Sequence, residues 1–91
     1  MSGVARKRVV VSGRVQGVFF RDTTRRKAAS RGVAGWVSNR PDGAVEAVFE
    51  GQPDAVEALV SFTREGPRGA DVADVAVVDE EPEGLSGFEI R

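Results

Sequence analysis

Arg40-Pro41-Asp42-Gly43 places the tightest constraint on how this chain can fold. Proline fixes φ and glycine permits a positive φ, so the tetrapeptide reads as a β-turn. On either side stand strand-like runs, Gly35-Trp36-Val37-Ser38-Asn39 and Ala44-Val45-Glu46-Ala47-Val48-Phe49-Glu50. A turn between two such runs predicts an antiparallel hairpin in the middle of the sequence. Everything else must pack around it.

Helical signals flank the hairpin. Before it, glycines at 13 and 17 break the chain after the β-branched run from Val9 to Ser12, and a helix is predicted from near Asp22 to a stop at Gly32. Its amphipathicity is weak, since only Ala28 and Ala29 are plainly apolar. After the hairpin, Pro53 suits a helix's first turn, Asp54 and Glu57 favour its N-terminal end and Gly66 its termination. Val56, Leu59, Val60 and Thr63 form a stripe at helical spacing. Val72 to Val78 then reads as a strand, and Phe88 with Ile90 as a short final one. The resulting order is β-α-β-β-α-β with a last short strand. Right-handed crossovers put both helices on one face of an antiparallel sheet, an α+β, ferredoxin-like sandwich. One domain spans residues 1–91, with 1–7 expected as a flexible N-terminal segment.

Composition limits the chemistry. Among the 91 residues there is no cysteine, histidine or tyrosine. The first two absences exclude disulfides, thiolate nucleophiles, Ser-His triads, phosphohistidine and histidine-ligated zinc. Catalysis must then use Arg, Lys, Asn, Gln, Ser, Thr, carboxylates or backbone. A formal net charge of −1 argues against a general polyanion binder. The apolar run after the basic start is too short for a signal-peptide core, and no stretch reaches transmembrane length. A cytoplasmic protein is the expectation.

The segment Gly13-Arg14-Val15-Gln16-Gly17-Val18-Phe19-Phe20-Arg21 joins the first strand to the first helix. Loop amides and those of a helix N-terminus lack intrahelical partners, so several N–H groups can hold an anion there. Gly17 permits close backbone approach, and Arg21 adds a guanidinium fork matched to phosphate oxygens. The same residues also admit a plainer reading: a tight turn, a solvated Arg21, and core side chains among Val18, Phe19 and Phe20. The segment is neither a Walker loop nor a dinucleotide fingerprint. Asn39, just before the turn, reads by itself as a residue chosen for local hydrogen bonding with the backbone.

Taken together, these motifs resemble the acylphosphatase family. The matching elements are "GRVQGVFFR" at 13–21, "GWVSN" at 35–39, "DGAVEAVFEG" at 42–51 and "GFEIR" at 87–91. The chain departs from the pattern at Arg31-Gly32-Val33, where the family commonly has Leu-Gly-Leu. The resemblance implies hydrolysis of acyl phosphates to a carboxylate and inorganic phosphate, by a monomer without metal or organic cofactor. It implies that Arg21 binds the substrate phosphate and Asn39 positions the attacking water. The backbone cradle it implies runs through Gln16, Gly17, Val18, Phe19, Phe20 and Arg21. That chemistry suits a chain without histidine. The leaving carboxylate has a conjugate-acid pKa of roughly 4, so its expulsion needs little help from a general acid.

Other residues are assigned to structure. Trp36, Phe49, Phe62 and Phe88 are expected in the core. Arg25, Arg26, Lys27 and Arg31 read as a solvated basic face that could steer an anion toward Arg21. Asp79-Glu80-Glu81-Pro82-Glu83 reads as an exposed acidic turn without metal-loop spacing. The alternatives are a ferredoxin-like nucleic-acid binding module and a noncatalytic ligand or protein-interaction domain. The first would expose aromatics on central strands, whereas the third strand offers Glu46 and Glu50.

Overall fold

The computed structural model describes residues 3–91. The chain forms β1 (Ala5–Arg14), α1 (Phe20–Ser30), β2 (Ala34–Asn39), β3 (Val45–Gly51), α2 (Pro53–Glu65), β4 (Asp71–Glu80) and β5 (Phe88–Ile90). The strands make one sheet in the order β4-β1-β3-β2-β5. The hairpin is present in register, with Asn39 opposite Val45 and Ala34 opposite Glu50. β1 pairs antiparallel with both β3 and β4. The sheet is not purely antiparallel as expected, because β5 runs parallel to β2. β4 and β5 sit on opposite edges of the sheet, so the chain after Glu80 must cross it before pairing.

Period-two alternation divides each strand between two faces. Val9, Val11, Val37, Val45, Ala47 and Phe49 join Phe20 and Ala28 of α1 and Val56, Leu59 and Val60 of α2 in one core. The stripe read from α2 is the one buried, Thr63 included. In α1 the buried residues are Phe20, Thr24 and Ala28, whereas Ala29 is exposed. Phe49 is fully buried and stacks on Phe88 at 5.9 Å, and Phe20 meets Phe62 at 5.8 Å.

Trp36 is not in this core. Gly35, Val37 and Asn39 face the helices, so Trp36 points to the opposite face, where it is half-buried between the guanidinium groups of Arg8 and Arg91. These lie 5.6 and 5.0 Å from the ring centroid, within cation–π range. Gly35 is required where it stands: a Cβ there would strike the carbonyl oxygen of Val48, and its φ of +139° is rarely open to other residues.

That same face carries an ion-pair network that corrects two expectations. The segment expected to be flexible, 1–7, is strand from Ala5 onward, with Arg6 opposite both Glu50 and Glu80; residues 1 and 2 lie outside the described residues. Nor is 79–83 simply a solvated acidic turn. Glu80 ends β4 and accepts bonds from Arg6 Nε at 2.9 Å and Arg8 Nε at 2.6 Å, while Arg8 also pairs with Glu46. Glu50, only 4% exposed, accepts from Arg6 at 3.3 Å and from the backbone N–H groups of Glu83, Gly84 and Leu85 at 2.8–2.9 Å. Single-residue reading assigns such charges to solvent; cross-strand pairing instead satisfies them.

Burial alone would raise the pKa of Glu50, but the amide bonds and Arg6 outweigh it and hold the carboxyl below its usual range. Bonds from Arg8 and Arg6 lower that of Glu80 as well. The unfolded chain therefore takes up protons before the folded one as pH falls. Stability should be flat down to about pH 5 and decline through and below about 4.5, the range of ordinary carboxyl titration. Urea midpoints measured across pH check this. Glu50→Ala, which takes one carboxylate partner from Arg6 while Glu80 remains and leaves three amides without their acceptor, should cost about 1–3 kcal/mol at neutral pH.

Candidate active site

β1 and β2 are both antiparallel to β3, so they run in the same direction and finish at the same end of the sheet, where Val11 and Asn39 both pair with Val45. The loop leaving β1 and the last residue of β2 therefore meet. The loop is pinned on both sides. Val15 and Phe20 are buried in the core, and Gln16 Nε2 donates to the carbonyls of Arg40 and Ala44 at 2.8 and 2.9 Å. Between these anchors the backbone takes left-handed conformations at Gly17, φ +76°, and Phe19, φ +63°. A phenylalanine in that region is an uncommon state, held here because Phe20 next to it is locked in the core.

The start of α1 has no side-chain cap. The N–H groups from Gln16 to Arg21 donate to no backbone carbonyl or side-chain oxygen among the described residues. A helix end left this way presents donors and positive partial charge to whatever occupies the adjoining space. That space is a cleft of about 310 Å³ lined by Val15, Gly17, Phe19, Phe20, Arg21, Asp22, Asn39 and Ile90. Asp22 is engaged by Arg25 and Arg26, which leaves the guanidinium of Arg21 without an anionic partner among the described residues. Asn39 Oδ1 is buried and accepts no hydrogen bond among the described residues. An acceptor in that state is poised for an O–H donor entering the cleft.

Of the residues singled out from sequence, Gly17, Phe19, Phe20, Arg21 and Asn39 come together in this cleft. Gln16 and Val18 are not among the residues that line it. The side chain of Gln16 ties the loop to the hairpin, and that of Val18 turns toward the core and a neighbouring groove. The two phenylalanines divide their tasks: Phe20 is 2% exposed, Phe19 is 79% exposed. Ile90 was not foreseen, since nothing local to "GFEIR" says that β5 lies against β2. The basic face of α1 is less free than expected, with Arg25 and Arg26 on Asp22 and Lys27 5.1 Å from the Phe62 ring. Among the described residues no group of three or more carboxylates is placed to hold a metal ion, and no helix is long and apolar enough to cross a membrane.

Unpaired amides, a guanidinium and a lone acceptor around one cleft suit a tetrahedral oxyanion with water beside it. Comparison with known proteins points the same way. The acylphosphatase family model matches residues 7–90. An acylphosphatase of Haloarcula marismortui is 58% identical over 86 residues, covering 94% of each chain. One of Rubrobacter xylanophilus is 60% identical over 88 residues, covering 94% of this chain and 79% of the relative. Among solved structures, an acylphosphatase from Coxiella burnetii superposes with a TM-score of 0.92 at 40% identity, covering 97% of this chain and 93% of the other. One from Bacillus subtilis gives 0.91 at 39% identity, covering 96% and 98%. The match runs through loop, hairpin and final strand alike, and the chain belongs to the acylphosphatase family.

Proposed function

We propose that the hydrolysis of acyl phosphates to a carboxylate and inorganic phosphate, which this chain carries out as a member of that family, takes place in the cleft between the loop after β1 and the end of β2. The amides from Gln16 to Arg21 and the Arg21 guanidinium hold the equatorial oxygens of the phosphoryl group. Asn39 accepts a hydrogen bond from water and aims its oxygen at phosphorus, in line with the departing acyl oxygen. The new P–O bond forms as the bond to the acyl oxygen breaks. The carboxylate leaves with the electron pair, and the proton of the water passes to a phosphate oxygen, since Asn39 is not a base.

Phosphoryl transfer through a loose transition state asks the protein chiefly for positioning and charge stabilisation. Both are available here without a general acid. The observation that carries the reading is the buried, unpartnered Asn39 Oδ1 in one cleft with Arg21 and the unpaired amides. A monomer working without cofactor belongs to the same proposal. So does a cytoplasmic location, supported by the cysteine-free composition.

Purified protein should turn over benzoyl phosphate in excess chelator and leave p-nitrophenyl phosphate nearly untouched. No acyl-phosphate turnover by well-folded protein would refute the assignment. Gly17→Ala supplies a check on the cradle. Nothing lies within 4 Å of the added Cβ, but the φ of +76° remains, so a stability loss of about 1–2 kcal/mol is expected. If the loop relaxes to relieve the strain, the inhibition constant of inorganic phosphate should rise in parallel.

A further inference from the structure

The cleft has an apolar side that the phosphate chemistry does not use. Ile90, 39% exposed, and Phe19 face it beside Asn39. Ile90 owes its place to β5, a strand of three residues at the sheet edge. So short a strand is weakly held by its own pairing. Its ladder to β2 matches Gly35 with Phe88 and Val37 with Ile90, closed by Gly35 N–H to the Gly87 carbonyl at 2.9 Å and Arg91 N–H to the Val37 carbonyl at 2.8 Å.

The segment entering β5 is anchored from the opposite face of the sheet by Glu50. Its Oε1 accepts from Glu83 N–H and Arg6, and its Oε2 from Gly84 and Leu85 N–H. We infer that Glu50 is a positioning residue for the acyl end of the site: by fixing residues 83–85 it sets β5 against β2 and holds Ile90 as the wall on which the acyl group packs. Arg6 and Glu80 back this anchor, Arg6 bonding both carboxylates. The phosphate end is held independently, by Val15, Phe20 and Gln16. The two ends of the substrate are thus fixed by separate parts of the fold. The inference rests on the reading of the cleft given under Proposed function.

Glu50→Gln tests it. The amide keeps the shape, but either orientation turns an NH2 donor toward N–H groups that need an acceptor. Benzoyl phosphate, which reaches the wall, and acetyl phosphate, which scarcely does, are compared together with inhibition by inorganic phosphate. E50Q should raise KM for benzoyl phosphate about fivefold, in keeping with loss of one partly buried apolar contact. KM for acetyl phosphate and the phosphate inhibition constant should stay within about twofold of wild type, inside the usual scatter of distant sites. Amide exchange at Gly84 and Leu85 should accelerate. I90A should reproduce the KM change without the exchange change, and E50Q/I90A should be no worse than the larger single effect.

A variant that is merely less stable loses active fraction, so kcat falls for both substrates alike while the KM ratio stays put. That pattern, or a benzoyl KM unchanged in E50Q, overturns the inference, as does I90A with wild-type selectivity. Should E50Q not fold, E50D keeps the charge, draws it back by one methylene and should shift the benzoyl KM in the same direction; an unmoved ratio in E50D counts against it equally. Failure of wild type to turn over acetyl phosphate would instead strike at the proposed function itself.

Discussion

Arg21→Ala should lower kcat/KM for benzoyl phosphate by about 30- to 4,000-fold, the equivalent of roughly 2–5 kcal/mol for losing one partner of a charge-paired contact. Arg21 lines the cleft at the start of α1, and its guanidinium has no anionic partner among the described residues. Its removal therefore exposes no unpaired carboxylate and should cost little stability. Binding and turnover should fall together, because the phosphoryl group bears charge in substrate and transition state alike. Inhibition by inorganic phosphate must weaken in parallel. Arg21→Lys should recover only part of the loss, since an ammonium cannot reproduce the planar fork that engages two oxygens at once. Steady-state kinetics with phosphate as inhibitor, beside a thermal melt, are sufficient. Wild-type kinetics in Arg21→Ala would remove the residue from the mechanism.

Asn39→Ala should separate the two functions of the cleft. Its Oδ1 is buried and unpartnered at the end of β2, opposite Val45 in the hairpin. With water as the proposed partner, its loss should fall mainly on kcat, by about 100- to 1,000-fold if the contact matters as much as other positioned transition-state hydrogen bonds. The phosphate inhibition constant should remain near wild type. Asn39→Asp keeps an acceptor of similar shape but places a negative charge facing the phosphate, so it should be impaired in binding as well. A variant that bound phosphate poorly but turned over normally would give Asn39 the wrong role. Little stability should be lost in Asn39→Ala, because no described hydrogen bond to Oδ1 is broken.

Much of this site was legible along the chain because its parts are local. Gly17 and the following residues owe their shape to left-handed backbone conformation before an uncapped helix start, both properties of a short segment. The turn at 40–43 fixes Asn39 as the last residue of a strand. The helix stripe Val56, Leu59, Val60 and Thr63 was likewise readable, since its periodicity is that of the helix itself. Where reading failed, the missing information was which face of a strand turns inward. Gly35-Trp36-Val37-Ser38-Asn39 alternates correctly, yet the largest side chain lies outside the core, because Gly35, Val37 and Asn39 face the helices. Helix α1 starts at Phe20 rather than near Asp22 because Phe20 plugs into the core against Phe62, a contact across 42 positions of sequence.

The sequence by itself determined the order of elements, the hairpin, the loop and the chemical character of its residues. Those follow from dihedral preferences, hydrogen-bonding capacity and periodicity within a few neighbours. Only the tertiary structure decided that β5 lies parallel to β2, that Ile90 walls the cleft, and that Arg6 reaches both Glu50 and Glu80, its partners 44 and 74 positions away. Such pairings have no local signature. A charged residue on a strand looks the same whether water or an opposite charge will satisfy it, and the choice is made when the strands come together and expel the water between them.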